Sequence, residues 1–381
     1  MPRWITLLLL LTVLLSLCHI PATATARDMT LPAPKGAPPA CSAASMALLE
    51  PESGSFLALH NADERRPMAS TTKIMTALVV LETLPREQMI TVPREAVGTE
   101  GSSIYLYEGE RISVNTLLYA LLLSSANDAA VTLALTAGGS IEGFAAMMNE
   151  KAVQLGLSDT HFCNPHGLHD EAHYTTARDL ARLCAAALQD ERFAQIAATR
   201  RFTAPQEGTE ATRLFLNHNR LLRTYDGAIG GKTGFTKAAG RCLVSAARRN
   251  GLTLIAVTLS DPNDWRDHTA LLDFGFSEYE GFCPEAPSIT LPVVGGSVGE
   301  VTLTPATTLS LTLPTGHPEI TCTAEHPRFL YGSFAEGEQK GRLVYRMGDE
   351  VIGEIPLVTQ EACEPLRSPG LWERIFSIFK K

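Results

Sequence analysis

No Cys-x-x-Cys pair and no His/Cys cluster with metal-ligand spacing occurs in the 381 residues, which argues against a zinc module or a dithiol redox centre. The cysteines stand singly in apolar or loop contexts, and the seven that remain once Cys18 is set aside cannot all pair internally, so buried free thiols are expected. Basic residues are outnumbered 32 to 41, giving a formal charge of −9 and no global field that could hold nucleic acid. No solenoid-type repeat is visible. No apolar run reaches the ~20 residues that span a bilayer. The longest, residues 5–15 after Arg3, breaks at His19-Ile20-Pro21 and leads to small residues at Ala22, Ala24 and Ala26. That is the pattern of a secretory signal peptide, with cleavage expected after Ala26. Leu17 before Cys18 speaks against a lipoprotein signal.

What is present suffices for a large core. Hydrophobic residues make up 45% and charged residues 19%, far from the disordered class, and the length favours two domains. A Pro- and Ala-rich lead covers residues 27–40. Residues 45–49 and 55–59 flank Pro51-Glu52-Ser53-Gly54 and predict two strands joined by a turn. From Thr71 to about Leu84, Ile74, Leu78 and Leu81 recur at the spacing of a buried helical face, which places Ser70 at the mouth of that helix. Residues 117–137, 141–155 and 176–187 are Ala- and Leu-rich and predict helices. Residues 241–248 and 252–259, joined by Asn250-Gly251, predict a long hairpin, and residues 268–276 a closing helix. Beyond Cys283 the chain alternates Thr, Val, Leu and Ile between turn signals such as Gly295-Gly296 and Pro314-Thr315-Gly316, which predicts a small all-β domain over 283–362.

Ser70-Thr71-Thr72-Lys73 sets a hydroxyl and an amine one helical turn apart at a helix start. A serine becomes a nucleophile when a base takes its proton, and a lysine can do so once desolvation or nearby positive charge lowers its pKa. The helix start also offers free N–H groups to a developing oxyanion. Alone this spacing is common, and a serine there is ordinarily an N-cap. Two further triplets change the reading. Ser125-Ala126-Asn127, 55 residues on, offers a second hydroxyl for proton relay and an amide for a substrate peptide. Lys232-Thr233-Gly234, 105 residues beyond Asn127, puts a cation, a hydroxyl and a glycine at a strand along which a peptide could lie, its terminal carboxylate meeting Lys232 and Thr233.

In this order and spacing the three triplets resemble the penicillin-binding serine peptidases and serine β-lactamases. Their surroundings, residues 68–76, 123–130, 164–168 and 231–236, are similar to those of the low-molecular-mass D-alanyl-D-alanine carboxypeptidases, and the resemblance covers roughly residues 40 to 360. It implies an α/β catalytic domain of the β-lactamase/transpeptidase-like type, a mainly antiparallel sheet against a helical subdomain, over 41–282, followed by the all-β domain. It further implies that Ser70 is acylated, that Lys73 is its base and that Ser125 relays the proton to departing D-alanine. Asn127, Lys232, Thr233, Gly234 and Phe235 would bind substrate, with the Ser70 and Phe235 N–H groups as the oxyanion hole. Ser124 is also present; Ser125 is preferred because the family's Ser and Asn are two apart. No metal or cofactor is implied. The implied substrate is a peptidoglycan pentapeptide, with β-lactams as covalent inhibitors. A D,D-endopeptidase or β-lactamase on the same fold, and a silent cell-wall binder, are the alternatives. Ser-Ala-Asn in place of Ser-Asp-Asn, and no Ω-loop glutamate, disfavour efficient β-lactam hydrolysis.

Two features stand outside the triplets. His166, His169 and His173 near Asp170 and Asp179 invite a metal or Ser-His-Asp reading, but Pro165 and Gly167 put His166 in a loop and Lys73 already fills the base role. Arg266 could face a substrate carboxylate or sit at the surface. In the last segment, 363–381, Leu371, Trp372, Ile375, Phe376, Ile378 and Phe379 share one helical face beside Arg374, Lys380 and Lys381. An amphipathic helix holding the exported protein to the outer face of the cytoplasmic membrane is expected there.

Overall fold

A computed structural model describes residues 33–208 and 210–366, together with the two-residue strand Thr25–Ala26. The rest of the expected leader and the expected C-terminal helix lie outside the described residues. The chain divides into two compact units: one runs to Gly281 and takes in Thr312–Thr315, and the other holds Phe282–Leu311 and the chain from Gly316 on.

The first unit is built on a five-stranded antiparallel sheet. Strands β1 (Ser45–Glu50) and β2 (Ser55–His60) form the expected hairpin. A 3-10 turn, Ala69–Thr72, leads into helix α1 (Lys73–Thr83), so the regular helix starts two residues later than its apolar spacing suggested. A small pair, β3 (Met89–Thr91) with β4 (Arg111–Ser113), precedes α2 (Val114–Leu123), α3 (Asn127–Gly138), α4 (Ile141–Gln154), α5 (Ala177–Gln189) and α6 (Glu191–Ala198). Strands β5 (Arg201–Pro205) and β6 (Thr212–Leu216) form a second small pair, which no alternation in the sequence marked. The short α7 (Leu221–Thr224) then feeds the main sheet: β7 (Ala228–Thr236), β8 (Gly240–Arg249) and β9 (Leu252–Leu259), closed by α8 (Asp264–Glu278). The sheet order is β2-β1-β9-β8-β7.

Asn250 and Gly251 both take positive φ, +48° and +85°, the mirror-image turn that suits the twist of a two-residue hairpin. Every residue of β9 is buried. Ile255 and Val257 enter a core shared with α1 to α6, while Leu254 and Ala256 pack with Leu271 and Leu272 of α8. A strand covered on both faces reads as one hydrophobic run, which is why residues 252–259 show no polar alternation. Helix α8 begins four residues before the expected start, because its first turn carries Asp264 and Asp267 rather than apolar residues.

In the second unit one sheet runs in the order Ile320–Glu325, Gln339–Met347, Glu350–Thr359, Glu300–Pro305, Ile289–Val294, Leu330–Tyr331, with Thr25–Ala26 paired to Glu350–Thr359. Val301, Leu303, Leu343, Tyr345, Ile355 and Leu357 fill its buried face.

Candidate active site

The three triplets meet at the edge of the main sheet. Ser70 lies in the 3-10 turn and Lys73 opens α1; Ser125 lies in the break between α2 and α3 and Asn127 opens α3; Lys232, Thr233, Gly234 and Phe235 lie on β7. Strand β7 passes so close to the serine turn that a Cβ at Gly234 would sit 3.0 Å from Ser70 N and 3.1 Å from Met68 O. A side chain there would need the serine turn to give by a few tenths of an ångström. Two residues hold left-handed backbone angles at this point, Ala69 (φ +48°) and Ser125 (φ +57°). Such angles cost about 1–3 kcal/mol in residues with a Cβ and persist where the surroundings enforce them.

Lys73 is wholly buried and has three polar neighbours: Ser70 Oγ at 3.0 Å, Asn127 Oδ1 at 2.7 Å and the His166 carbonyl at 2.8 Å. Burial, and then the nearby Lys232, hold its pKa well below the usual lysine range, against a weaker opposite pull from Asp128. A neutral amine has two hydrogens and one lone pair. Asn127 Oδ1 and His166 O can only accept, so in that form of Lys73 they would take both hydrogens and leave the lone pair for Ser70 Oγ–H.

Asn127 is held at its other end too. Its Nδ2 donates to Glu100 O at 2.6 Å and its backbone N–H to Ser102 O at 2.7 Å. One Nδ2 hydrogen remains beyond the Glu100 contact. The loop that supplies these carbonyls is tied down by the buried Asp128, which accepts from Ser103 Oγ (2.6 Å), Ile104 N (3.1 Å) and Leu106 N (3.1 Å).

Lys232 is 1% exposed and donates to Ser125 Oγ at 3.1 Å and to Thr233 O at 2.8 Å. Burial lowers its pKa to about 7. Ser125 lines the cleft, whereas Ser124 caps α2 and does not. The cleft itself, about 340 Å³, is lined by Ser70, Ser125, Thr233, Gly234 and Phe235, together with Ser102, His218, Arg241, Asp264 and Trp265. A larger cavity of about 580 Å³, among Leu188, Ile229, Ile255 and Arg248, contains none of the triplet residues.

The histidine-rich loop supports the site without entering it as a triad. His166 gives its carbonyl to Lys73, and burial next to that amine lowers its ring pKa to about 3. His173 Nδ1 accepts from Cys163 N at 3.0 Å. Thr72 Oγ1 donates to Ala69 O, so the 2.7 Å contact between Thr72 Oγ1 and His173 Nε2 has the ring as donor and fixes a neutral imidazole, in line with a pKa near 4 set by burial. Among the described residues no three His, Cys, Asp or Glu side chains converge on a metal position. The described cysteines are all free thiols.

Arg266, weighed as a carboxylate partner, is absent from the cleft lining; Arg241 is there instead. It stands opposite Phe235 across the β7–β8 turn and forks onto Asp264 with Nε and Nη2, each at 3.0 Å. Counting strand pairs back from Thr236 and Gly240 would have found it. Ser102, His218 and Trp265 carry no comparable signal in the sequence.

A family model described as D-alanyl-D-alanine carboxypeptidase matches residues 33–263. The chain is 32% identical over 332 residues to D-alanyl-D-alanine carboxypeptidase DacF of Bacillus subtilis, covering 84% of this chain and 85% of that one. It is 33% identical over 365 residues to DacC of Escherichia coli, covering 90% and 88%. Among solved structures, penicillin binding protein 5 from Haemophilus influenzae superposes with a TM-score of 0.64 at 29% identity, covering 86% of this chain and 99% of that one. The Streptomyces K15 DD-transpeptidase gives 0.61 at 35% identity, covering 63% and 99%. The expected transpeptidase-like architecture, with an all-β region after it, is therefore the observed one, and the chain belongs to the D-alanyl-D-alanine carboxypeptidase family of serine peptidases.

Proposed function

We propose that the protein is a serine D-alanyl-D-alanine carboxypeptidase that removes the terminal D-alanine of peptidoglycan pentapeptides through an ester on Ser70. The observation that carries this is the Lys73 amine, wholly buried, with two acceptors engaged and its third contact on Ser70 Oγ. Ser70 Oγ attacks the carbonyl of the penultimate D-alanine while its proton passes to Lys73 Nζ. The Ser70 and Phe235 N–H groups receive the oxyanion. As the C–N bond breaks, the Ser125 hydroxyl, held by Lys232, delivers a proton to the leaving amine. Water then cleaves the ester and restores Ser70. The substrate lies along β7, its terminal carboxylate at the Thr233 hydroxyl and its backbone carbonyl at the second Nδ2 hydrogen of Asn127. A β-lactam, whose strained amide mimics the scissile bond, acylates the same oxygen.

Benzylpenicillin followed by peptide mass mapping tests the assignment. The adduct is expected on the peptide containing Ser70 and is lost in Lys73→Ala; an adduct on Ser124 or Ser125, or normal labelling of Lys73→Ala, overturns it. Release of D-alanine from diacetyl-Lys-D-Ala-D-Ala, with slow turnover of the penicillin ester, separates carboxypeptidase from β-lactamase.

Export and peripheral attachment to the outer face of the cytoplasmic membrane complete the proposal. They are supported by the apolar run before Ala26 and by the one-sided pattern of residues 371–379. Truncation before Leu371 should release the exported protein from membranes and leave hydrolysis of a soluble peptide intact; continued sedimentation with membranes overturns the anchor.

A further inference from the structure

The all-β unit carries an exposed apolar edge. Strand Ile289–Val294 runs parallel to Leu330–Tyr331, with Val293 opposite Leu330 and Val294 opposite Tyr331. Successive side chains of a strand point to opposite faces, and here Leu330 is buried while Val294 and Tyr331 are 50% and 72% exposed. The Phe329 ring, 41% exposed, meets the Tyr331 ring edge-on with centroids 5.2 Å apart. Leu366, 65% exposed, donates its N–H to Gly295 O at 2.9 Å and so lies beside the residue that follows Val294. Arg328 is exposed next to Phe329 and makes no ion pair among the described residues. Single exposed apolar side chains are ordinary on any protein, but apolar side chains gathered from three separate chain segments mark a contact surface.

The path of the chain decides what this surface meets. Leu366 is followed by Arg367-Ser368-Pro369-Gly370 and then by residues 371–379, the segment whose apolar residues recur on one helical face. The chain between Leu366 and Leu371, even fully extended, reaches at most about 18 Å. A tail lying in a lipid interface therefore keeps the edge at Leu366 within that distance of the bilayer. Aromatic rings, one with a polar tip, beside a long basic side chain are also the composition that settles at headgroup level, apolar bodies inward and polar ends in water. We propose that Val294, Phe329, Tyr331 and Leu366, with Arg328, form a second lipid contact that enters the headgroup layer of the bilayer bound by the tail. This rests on the peripheral attachment proposed above and adds orientation to it. One point of attachment does not set how the all-β unit tilts; a second, on its own surface, fixes which edge of its sheet faces the bilayer.

The test is sedimentation of the exported chain, from Arg27 on, with vesicles of phosphatidylethanolamine and phosphatidylglycerol. Phe329→Ser with Tyr331→Ser, the tail intact, should weaken partitioning by at least about tenfold. Leu214→Ser with Leu216→Ser, which removes two exposed leucines from β6, should leave it unchanged. Both pairs should keep the wild-type Tm and release of D-alanine from diacetyl-Lys-D-Ala-D-Ala, since none of these side chains is buried. Tyr331→Trp in a Trp372→Phe background should add fluorescence that brominated lipids quench. Unchanged partitioning of the Phe329/Tyr331 pair without quenching at position 331 overturns the second contact, and leaves the anchor standing if truncation before Leu371 releases the protein. If truncation has no effect either, both fall. Tighter binding by the pair, the sign of a tail freed from this edge, or a vesicle-free dimer that the pair abolishes, assigns the surface to the tail or to a second copy and equally overturns the proposal.

Discussion

Lys73 and Asn127, 54 positions apart, meet end to end: the amine nitrogen lies 2.7 Å from the amide oxygen, and both side chains are buried. Burial and the nearby Lys232 lower the Lys73 pKa, and the amide that faces the amine brings no charge to oppose them. Asn127→Asp sets a carboxylate in its place, which favours the ammonium form and raises the Lys73 pKa by about 1–3 units. The acid limb of benzylpenicillin acylation should then move to higher pH by that amount, in stopped-flow measurements across pH 5 to 10. An unmoved limb would mean that Lys73 does not titrate in the step.

Lys232 supplies the opposite limb. With a pKa near 7 in the free protein, it is an ammonium below that pH and an amine above it. Since kcat/KM reports the free enzyme, it should fall as pH rises through about 7. A bound carboxylate stabilises the ammonium, so the corresponding limb of kcat should lie higher. Coincident limbs above pH 9 would show that burial does not set the charge of this lysine.

Asp128 never touches the cleft, yet it ties the 100–106 loop whose carbonyls hold Asn127. Asp128→Ala leaves two backbone N–H groups and a hydroxyl without their acceptor, at about 2–3 kcal/mol. Thermal unfolding should drop by roughly 5–10 °C, and acylation should slow even at temperatures where the variant is folded. Slowing without a fall in Tm would mean the loop is held by something else.

Gly167 has φ +87°, and a Cβ there would stand 1.9 Å from Ala69 O and 2.8 Å from Thr72 Oγ1. Gly167→Ala must push the 164–168 loop away from the serine turn, at a cost of at least about 2 kcal/mol. Both Tm and penicillin labelling should fall; a variant with wild-type labelling would show that the His166 carbonyl is dispensable to Lys73.

The sequence made legible what depends on short spacing. Ser70 and Lys73 are one helical turn apart and their polar atoms meet at 3.0 Å; residues 252–259 announce a strand through β-branched and aliphatic content alone. Across the triplets, order and spacing pointed to a convergence that no single triplet would have supported. The unread part is imposed from a distance. An alanine at φ +48° before Ser70 has no local signature, because alanine prefers helix and is forced out of it by β7 and the 164–168 loop. Arg241 and Asp264 are 23 residues apart and meet only once β8 and α8 are packed. Likewise His166 serves Lys73 through its backbone carbonyl, an atom every residue has, so the ring invited a reading that the main chain answers.

The break between α2 and α3 bears on the two lysines through the dipoles of the helices around them. Aligned peptide units leave about half a positive charge at a helix N-terminus and half a negative charge at its C-terminus. Lys73 opens α1, and its amine reaches back over the N-terminal end to Ser70, where partial positive charge disfavours the ammonium. Lys232 instead bonds to Ser125, between the C-terminal end of α2 and the N-terminal end of α3, where the two helix ends act in opposite senses. At Lys73 the influence is worth about 1 kcal/mol in a partly buried setting, somewhat less than a pKa unit, and at Lys232 the two ends offset each other. Two buried lysines thus share a single cleft in unlike settings, one at the head of a helix and one between two helix ends, and the polarity of the backbone helps to tell them apart.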